Sequence, residues 1–288
     1  MTEAHPEKES LFSGKNNWGV HYNSIPMAKL AATLAGAMAL KAPPKAHPPV
    51  HWMNEIIRAR LGIADRIVMY HADAVPMYIY QKYTHIFAPV LKHIEITAPF
   101  LSTVESVTPV SHASMYTGVE PEVHGIKTYV RPCLTCDTLY DAFIRQGKRC
   151  AIVAMEDSSF LHIFKNRDMD YFELQTAEEI IEKACDLIAQ DRHDLISIHV
   201  FTYDSFAHHF GPESVTALDA IVYEAELFDR LINCIKEKWT DHHKTLYGYA
   251  PDHGQHEIQD MKGAHGSILP EDMNVMHFYG INSASHRS

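Results

Sequence analysis

Short apolar runs separated by amphipathic stretches make up most of the chain. Each run has the length and the β-branched content of a buried strand, and we predict strands at residues 67–70, 150–154, 195–200 and 245–250. Between these runs we predict helices at residues 138–146, 177–190 and 215–239, the last with apolar positions at helical spacing. Strand and helix alternate along the chain. The pattern therefore predicts an α/β fold with a mainly parallel central sheet and helices on both faces.

The length of 288 residues suits one domain spanning residues 1–288, without a large cap domain. Residues 1–17 are polar and are predicted to be poorly ordered. Residues 18–50 are predicted to form a helix followed by a proline-rich connector, because the prolines after residue 42 cannot continue a helix. The alanine-rich stretch at residues 30–40 is too short to span a bilayer, so we interpret it as a buried helix.

Charge and residue counts narrow the possible partners. The net charge of −11 argues against a nucleic-acid partner, since such proteins neutralise phosphates with clustered Lys and Arg. No membrane partner is expected. Twenty-one histidines are a large supply of potential metal ligands, although most would ordinarily lie on the surface.

Five cysteines suit a reducing compartment and predict a cytoplasmic protein. The pair Cys133 and Cys136 could be half a zinc site or a redox pair, but we predict no functional role for it.

Polar residues follow several of the predicted strands. Asp73 comes directly after the strand at residues 67–70, where ligand sites gather in open α/β sheets, although an Asp there is more often a turn or a helix cap. Asp204 and His208 follow the strand at residues 195–200 and could meet one metal from a single helical turn. Asp252 and His253 follow the strand at residues 245–250 and offer adjacent oxygen and nitrogen ligands.

Thr108 precedes a further predicted helix. A threonine in that position is ordinarily the helix N-cap, but its hydroxyl could instead face a metal. The amides at the start of the helix would then attract an anion.

These segments resemble a known family. Residues 108–126, TPVSHASMYTGVEPEVHGI, are similar to the nucleophile segment of type I phosphodiesterases and nucleotide pyrophosphatases, a branch of the alkaline phosphatase superfamily. Residues 203–212 resemble the Asp-x-x-x-His block of that family, residues 252–254 its Asp-His-Gly, and residues 263–273 its last His-Gly segment. The blocks stand in the family's order over roughly residues 66–280.

The resemblance implies two divalent metal ions, zinc first and manganese as the alternative. The first ion would be held by Asp204, His208 and His265. The second would be held by Asp73, Asp252 and His253, with Thr108 touching it. The implied activity is a metal-dependent phosphoric ester hydrolase acting on a small phosphorylated substrate. Thr108 would be the nucleophile and would form a covalent phosphothreonine intermediate, because two metals can stabilise both the attacking and the leaving oxygen.

The sequence departs from the family at the substrate. An Asn usually follows the His-Gly-Ile motif, whereas this chain has Lys127, Thr128 and Tyr129 there. Lys127, Tyr129 or Arg131 could replace the missing donor, and a cationic replacement would favour a monoester or a phosphonate. A phosphomonoesterase, a phosphonate hydrolase and a phosphomutase therefore stay open, as does a non-catalytic binder of phosphorylated ligands. The resemblance disfavours a sulfatase, because Thr108 stands where sulfatases carry a modified Cys or Ser.

One further departure concerns the order of segments. Residues 24–44 resemble an element that family members usually carry near the carboxyl terminus, and here they stand near the start of the chain.

Overall fold

The computed structural model describes residues 21–283, so the prediction for residues 1–17 lies outside the described part. The strands are β1 (Ile25–Pro26), β2 (Arg66–Ala72), β3 (Ile96–Leu101), β4 (Cys150–Met155), β5 (Asp170–Leu174), β6 (Leu195–Val200), β7 (Thr245–Tyr249), β8 (His256–Ile258), β9 (Lys262–Ala264) and β10 (Asn274–Asn282). Within the described residues, eight of them form one sheet in the order β1-β3-β10-β7-β2-β6-β4-β5, and β8 and β9 form a separate hairpin.

Helices connect most of the strands. They are α1 (Leu30–Ala37), α2 (His51–Arg60), α3 (Met77–Lys82), α4 (Ala88–Leu91), α5 (Thr108–Thr117), α6 (Pro121–His124), α7 (Leu139–Ile144), α8 (Ser159–Phe164), α9 (Ala177–Gln190), α10 (Thr202–Phe210), α11 (Val215–Trp239) and α12 (Pro270–Met273). Short 3-10 turns cover Met27–Lys29, Thr84–Phe87 and Gln259–Met261. Among the described residues, no helix is both long enough and apolar enough to cross a membrane.

The sheet is parallel except where β10 takes part. β2 pairs in parallel with β6 and β7, and β4 does so with β5 and β6. β10 runs antiparallel to both β3 and β7, which leaves β3 pointing the same way as β7. The prediction of a mainly parallel α/β sheet is therefore confirmed.

The two faces of the sheet bury two apolar cores. Ile67 and Met69 of β2 face a core that includes residues of α1, α5, α7 and α8. Val68 and Tyr70 face the opposite core, which includes residues of α9, α10 and α11. Alternate residues of one strand thus point into different cores, as the pleat of a strand requires. Because both faces are covered, the strands contain nearly continuous apolar runs that sequence patterns can detect.

Several boundaries and strands differ from the prediction. The predicted helix at residues 138–146 is shorter, because Thr138 is its N-cap and shares a capping box with Asp141. The predicted helix at residues 30–40 ends at Ala37. We did not predict β1, β3, β5, β8, β9 or β10. Pro99 interrupts the apolar run of β3, and β10 carries His277 and Gly280 within its span, so neither has the appearance of a regular strand.

One edge of the sheet collects the predicted polar residues. β2, β3, β6 and β7 run in the same direction, so their carboxyl ends lie on a common edge. Asp73 follows β2, α10 follows β6 and Asp252 follows β7. The loop after β3 leads into α5, which begins with Thr108. The topology brings segments that lie far apart along the chain to one place.

Candidate metal centre

Thr108 is the first residue of α5 and does not act as its cap. Val107 occupies the N-cap position, and no side chain caps the helix there. The Thr108 hydroxyl instead donates toward Asp73, with Oγ1 3.2 Å from Oδ2 and 3.4 Å from Oδ1. His253 Nε2 lies 3.3 Å from the same hydroxyl. The sequence left two roles open for Thr108, a helix N-cap and a hydroxyl that faces a metal site. This geometry favours the second role, because the hydroxyl faces a polar cluster.

One cluster consists of Asp204, His208 and His265, whose candidate ligand atoms lie within 4.8 Å of one another. Asp204 and His208 are one turn apart on α10, and His208 Nε2 is 3.3 Å from Asp204 Oδ1. His265 Nε2 is 3.6 Å from that same oxygen. The Nδ1 atoms of the two histidines face the carbonyl oxygens of Gly263 and Ser106, at 3.0 and 3.2 Å. These contacts leave both Nε2 atoms directed at the carboxylate.

The other cluster consists of Asp73, Asp252 and His253, all of them buried. His253 Nε2 lies 3.4 Å from Asp73 Oδ1 and 3.5 Å from Asp252 Oδ2. The remaining polar atoms of Asp252 and His253 are already used. Asp252 Oδ1 accepts from the backbone amides of Ala74 and His253, and His253 Nδ1 faces the carbonyl oxygen of Gly254.

Electrostatics separates the two carboxyl groups of this buried cluster. Burial, together with the nearby carboxylates of Asp252 and Asp204, raises the pKa of Asp73 well above its usual range. Burial also opposes ionisation of Asp252, but His253 and His112 hold its pKa well below the usual range. Two carboxyl groups this close resist joint ionisation, and a divalent cation between them would remove that cost.

The half-buried cluster responds differently. The hydrogen bond between His208 and Asp204 raises the pKa of His208. Burial opposes the charge on Asp204, yet His208 and His265 bring the pKa of that carboxyl below its usual value. Burial lowers the pKa of His265 to about 3, so its imidazole is neutral and able to act as a ligand.

The residues present fit a pair of divalent cations. Asp252 Oδ2 is buried and has no hydrogen-bond partner among residues 21–283. It lies 3.3 Å from His112 Nδ1, but that nitrogen is directed at the carbonyl oxygen of Thr108, 3.0 Å away. An ionised oxygen buried without a partner is costly, and a cation would satisfy it. Imidazole and carboxylate donors without thiolate suit zinc or manganese.

A cleft of about 440 Å³ opens over the Thr108 hydroxyl. Its lining combines four of the six cluster residues with polar and aromatic groups from neighbouring loops, helices and a strand. The lining residues are Asp73, Thr108, Tyr129, Glu156, Asp157, Ser158, Ser159, His199, Phe201, Asp204, Ser205, His208 and His265. No Lys or Arg is among these described lining residues.

Solved structures of known proteins share this architecture. An inactive form of murine ectonucleotide pyrophosphatase/phosphodiesterase 5 in complex with AMP matches with a TM-score of 0.55 and 16% identity, over 68% of this chain and 59% of that chain. The C-terminal periplasmic domain of a phosphoethanolamine transferase from Campylobacter jejuni matches with a TM-score of 0.58 and 16% identity, over 76% of this chain and 80% of that one. The chain has an alkaline phosphatase-like α/β fold.

A third structure with the alkaline phosphatase-like fold is phosphonoacetate hydrolase from Sinorhizobium meliloti in complex with phosphonoformate. It matches with a TM-score of 0.50 and 15% identity, over 67% of this chain and 57% of that chain. This chain therefore spans less than two thirds of the length of the murine and Sinorhizobium structures. No protein-family model and no curated protein matches the sequence. At these identities the likeness concerns the fold alone.

Only some of the candidate substrate-binding residues line the cleft. Tyr129 lines the cleft, and its hydroxyl lies 3.2 Å from Ser159 Oγ. Lys127 is exposed and is not among the lining residues. Arg131 is engaged in an ion pair, with Nη1 2.6 Å from Asp157 Oδ1. Cys133 is an exposed free thiol and belongs to neither of the metal-capable clusters among the described residues.

Sequence reasoning missed part of the cleft. Glu156, Asp157 and Ser158 directly follow β4, at the same sheet edge that drew attention to Asp73. His199 is a polar residue within the apolar strand β6, where it is fully buried. Both signals were present in the sequence, because a polar residue inside or directly after a buried strand needs a partner.

Proposed function

We propose that the chain is a metal-dependent phosphoric ester hydrolase in which Thr108 attacks phosphorus, the ester's P–O bond breaks to release the alcohol, and water then hydrolyses the covalent phosphothreonine intermediate. One observation carries the proposal: the Thr108 hydroxyl lies in an open cleft, 3.2 Å from Asp73 Oδ2 and 3.3 Å from His253 Nε2. The assigned ligands are Asp204, His208 and His265 for one metal and Asp73, Asp252 and His253 for the other. Zinc is the first expectation, and manganese is the alternative.

Residues of the chain position the Thr108 hydroxyl and accept its hydrogen. Asp73 accepts the hydroxyl hydrogen of Thr108 and so directs Oγ1 toward the cleft. Thr108 also stands in the first turn of α5, where backbone amides favour an anion. Two divalent cations, when bound, would neutralise phosphate oxygens and favour the ionised hydroxyl. The hydroxyl is thereby oriented for attack on a phosphate ester that lies over it.

The charges of the cleft favour a phosphodiester over a more highly charged substrate. Glu156 and Asp157 add carboxylates to the lining, while Arg131 is already paired with Asp157. A diester carries a single negative charge, whereas a monoester dianion would bring more charge next to these carboxylates. A phosphomonoesterase, a phosphonate hydrolase or a phosphomutase on the same metals is the alternative. We propose the cytoplasm as the compartment.

Metal content and a substrate panel test the function together. Protein purified without chelators should hold about two divalent ions per chain, because six ligands form two clusters. Turnover would be compared on an aryl diester, an aryl monoester, a pyrophosphate and a phosphonate, with zinc or manganese supplied. We expect chelation to abolish turnover and the diester to be the best substrate. Protein that takes up no metal, or that binds metal and cleaves none of the four, would refute the proposal.

A further inference from the structure

The buried ligand Asp73 has one oxygen occupied by the protein itself. Its Oδ1 faces His253 Nε2 at 3.4 Å, within the cluster proposed to hold the second metal. Its Oδ2 is turned the other way and lies 3.1 Å from His199 Nε2, in addition to its contact with the Thr108 hydroxyl. The carboxylate therefore has a metal-facing oxygen and an oxygen held by a histidine.

The other ring nitrogen of His199 is also hydrogen-bonded. Its Nδ1 lies 2.9 Å from Ser158 Oγ, and both side chains are buried. The ring packs against Phe160, with centroids 5.5 Å apart, and meets His112 edge to face at 5.1 Å. Rotation of this ring would break hydrogen bonds on both sides and disturb the aromatic packing.

The chemistry of the three partners determines which atom donates. A carboxylate that holds a metal is ionised and can only accept, so His199 Nε2 must carry the hydrogen that it shares with Asp73. In the neutral ring Nδ1 is then an acceptor, and the Ser158 hydroxyl supplies its hydrogen. Ser158 selects one tautomer of His199, and that tautomer orients Asp73.

We propose that His199 and Ser158 are positioning residues, and that the hydrogen-bonded chain Ser158–His199–Asp73 sets the metal affinity of the Asp73, Asp252 and His253 cluster. The inference rests on the proposed two-metal function. It extends that function, because neither residue belongs to the sequence blocks that resemble the phosphodiesterase motifs. Groups that orient a ligand contribute to metal affinity, typically by about 10- to 100-fold.

Two amide substitutions test whether the hydrogen-bond donor of His199, and not its imidazole ring as such, is what Asp73 needs. His199→Gln can place its amide nitrogen near the position of Nε2 and keep a donor to Asp73. His199→Asn is shorter, so it can still reach Ser158 but leaves Asp73 Oδ2 without its donor. Ser158→Ala removes the group that selects the tautomer. His193→Asn is the matched control, because His193 is also buried and its Nε2 lies 2.7 Å from a carboxylate oxygen of Asp170, outside the cleft.

The measurement is two-site binding of Zn²⁺ and of Mn²⁺ by competition with a chelating dye, together with the melting temperature of each variant. The weakened site is assigned by comparison with His253→Ala. We expect His199→Asn to weaken that same site by about 10- to 100-fold while the other site stays within about twofold of the parent. Ser158→Ala should show a smaller loss at the same site. His199→Gln and His193→Asn should bind both metals nearly as the parent does.

Several results would overturn the inference. His199→Asn that binds both metals as tightly as His193→Asn does would show that the donor is dispensable. Equal weakening of both sites with a lowered melting temperature would show a general packing role. A well-folded His199→Gln that behaves like His199→Asn would show that donation to Asp73 is not the reason. The parent is measured by itself first, so a parent that binds no metal would refute the proposed function separately from any effect of the variants.

Discussion

In the proposed mechanism Thr108 is the nucleophile, and its surroundings make a sharp substitution possible. The side chain caps no helix, since Val107 is the N-cap of α5 and its side chain makes no capping bond. Thr108→Val keeps the shape of the side chain and removes only the hydroxyl. We expect turnover to fall by at least about a thousandfold, because the covalent route is lost. Thr108→Ser keeps a hydroxyl and should retain substantial turnover.

Turnover, melting temperature and metal content would be measured on both Thr108 variants. The fold and both metals should survive in Thr108→Val, because the six other ligands remain. Cys133→Ser serves as the control, since that thiol is exposed and belongs to neither cluster. A Thr108→Val protein that folds, holds two metals and still cleaves esters near the parent rate would mean that water attacks directly.

The sequence located the two clusters more completely than the cleft around them. Asp73, Asp204 and Asp252 follow apolar strands, and matching motifs give their order along the chain, so their convergence at one sheet edge was foreseeable. Of the candidate substrate-binding residues, Tyr129 lines the cleft. The ion pair between Arg131 and Asp157 was not foreseeable, because no periodicity links residues 26 positions apart.

At the scale of elements, α10 depends on a buried carboxyl group of α11. Glu224 is fully buried, and its Oε1 accepts from the backbone amide of Tyr203 at 3.0 Å, at the start of the helix that carries Asp204 and His208. Burial raises the pKa of Glu224 to about 8. Between the ordinary glutamate pKa and this value, the folded protein keeps a proton that the unfolded chain releases. Folding stability from this group therefore falls as pH rises.

Replacing Glu224 with Gln tests that dependence. The neutral amide can still accept from Tyr203 but cannot ionise, so Glu224→Gln should flatten the fall in unfolding free energy between about pH 5 and about pH 8.5. The measurement is denaturant unfolding of both proteins at each pH, with metals removed from both. Glu226→Gln is the control, because Glu226 lies on the same helix and is exposed. A Glu224→Gln profile that follows the parent profile would contradict the prediction.

Prediction of the elements succeeded where burial is two-sided. β6 and the long helices α9 and α11 matched the sequence prediction residue for residue, because the apolar residues still dominate β6 despite Ser197 and His199, and those of the helices recur along the whole element. β3 and β10 were missed, because a proline in one and polar residues in the other interrupt the pattern. Their pairing joins residues far apart in the chain, such as Asn274 with Leu101, which no local pattern encodes.

For the whole molecule, charge should act on substrate choice. The chain carries a net charge of −11, and Glu156 is an exposed carboxylate at the cleft. Glu156→Gln should raise kcat/KM for a polyanionic nucleotide by about fivefold or less. It should hardly change kcat/KM for an aryl diester whose ester groups carry no charge. The gain should shrink as salt is added.

Steady-state kinetics on both substrates at low and high salt would measure this effect. Glu182→Gln is the control, since Glu182 is an exposed carboxylate on α9 and is not part of the cleft lining. An equal gain for both substrates, or a gain in the Glu182 variant as well, would contradict a local charge effect.

The strand order has a consequence for biosynthesis. β3 and β2 are separated in the sheet by β10 and β7, which are the last two strands of that sheet to leave the ribosome. Until they emerge, the strands on either side, β1-β3 and β2-β6-β4-β5, lack the neighbours that β10 and β7 provide in the finished sheet. The same late stretch carries Asp252, His253 and His265. We therefore expect a chain released before β7 and β10 have emerged to be prone to aggregation and to lack ligands of both proposed metal sites.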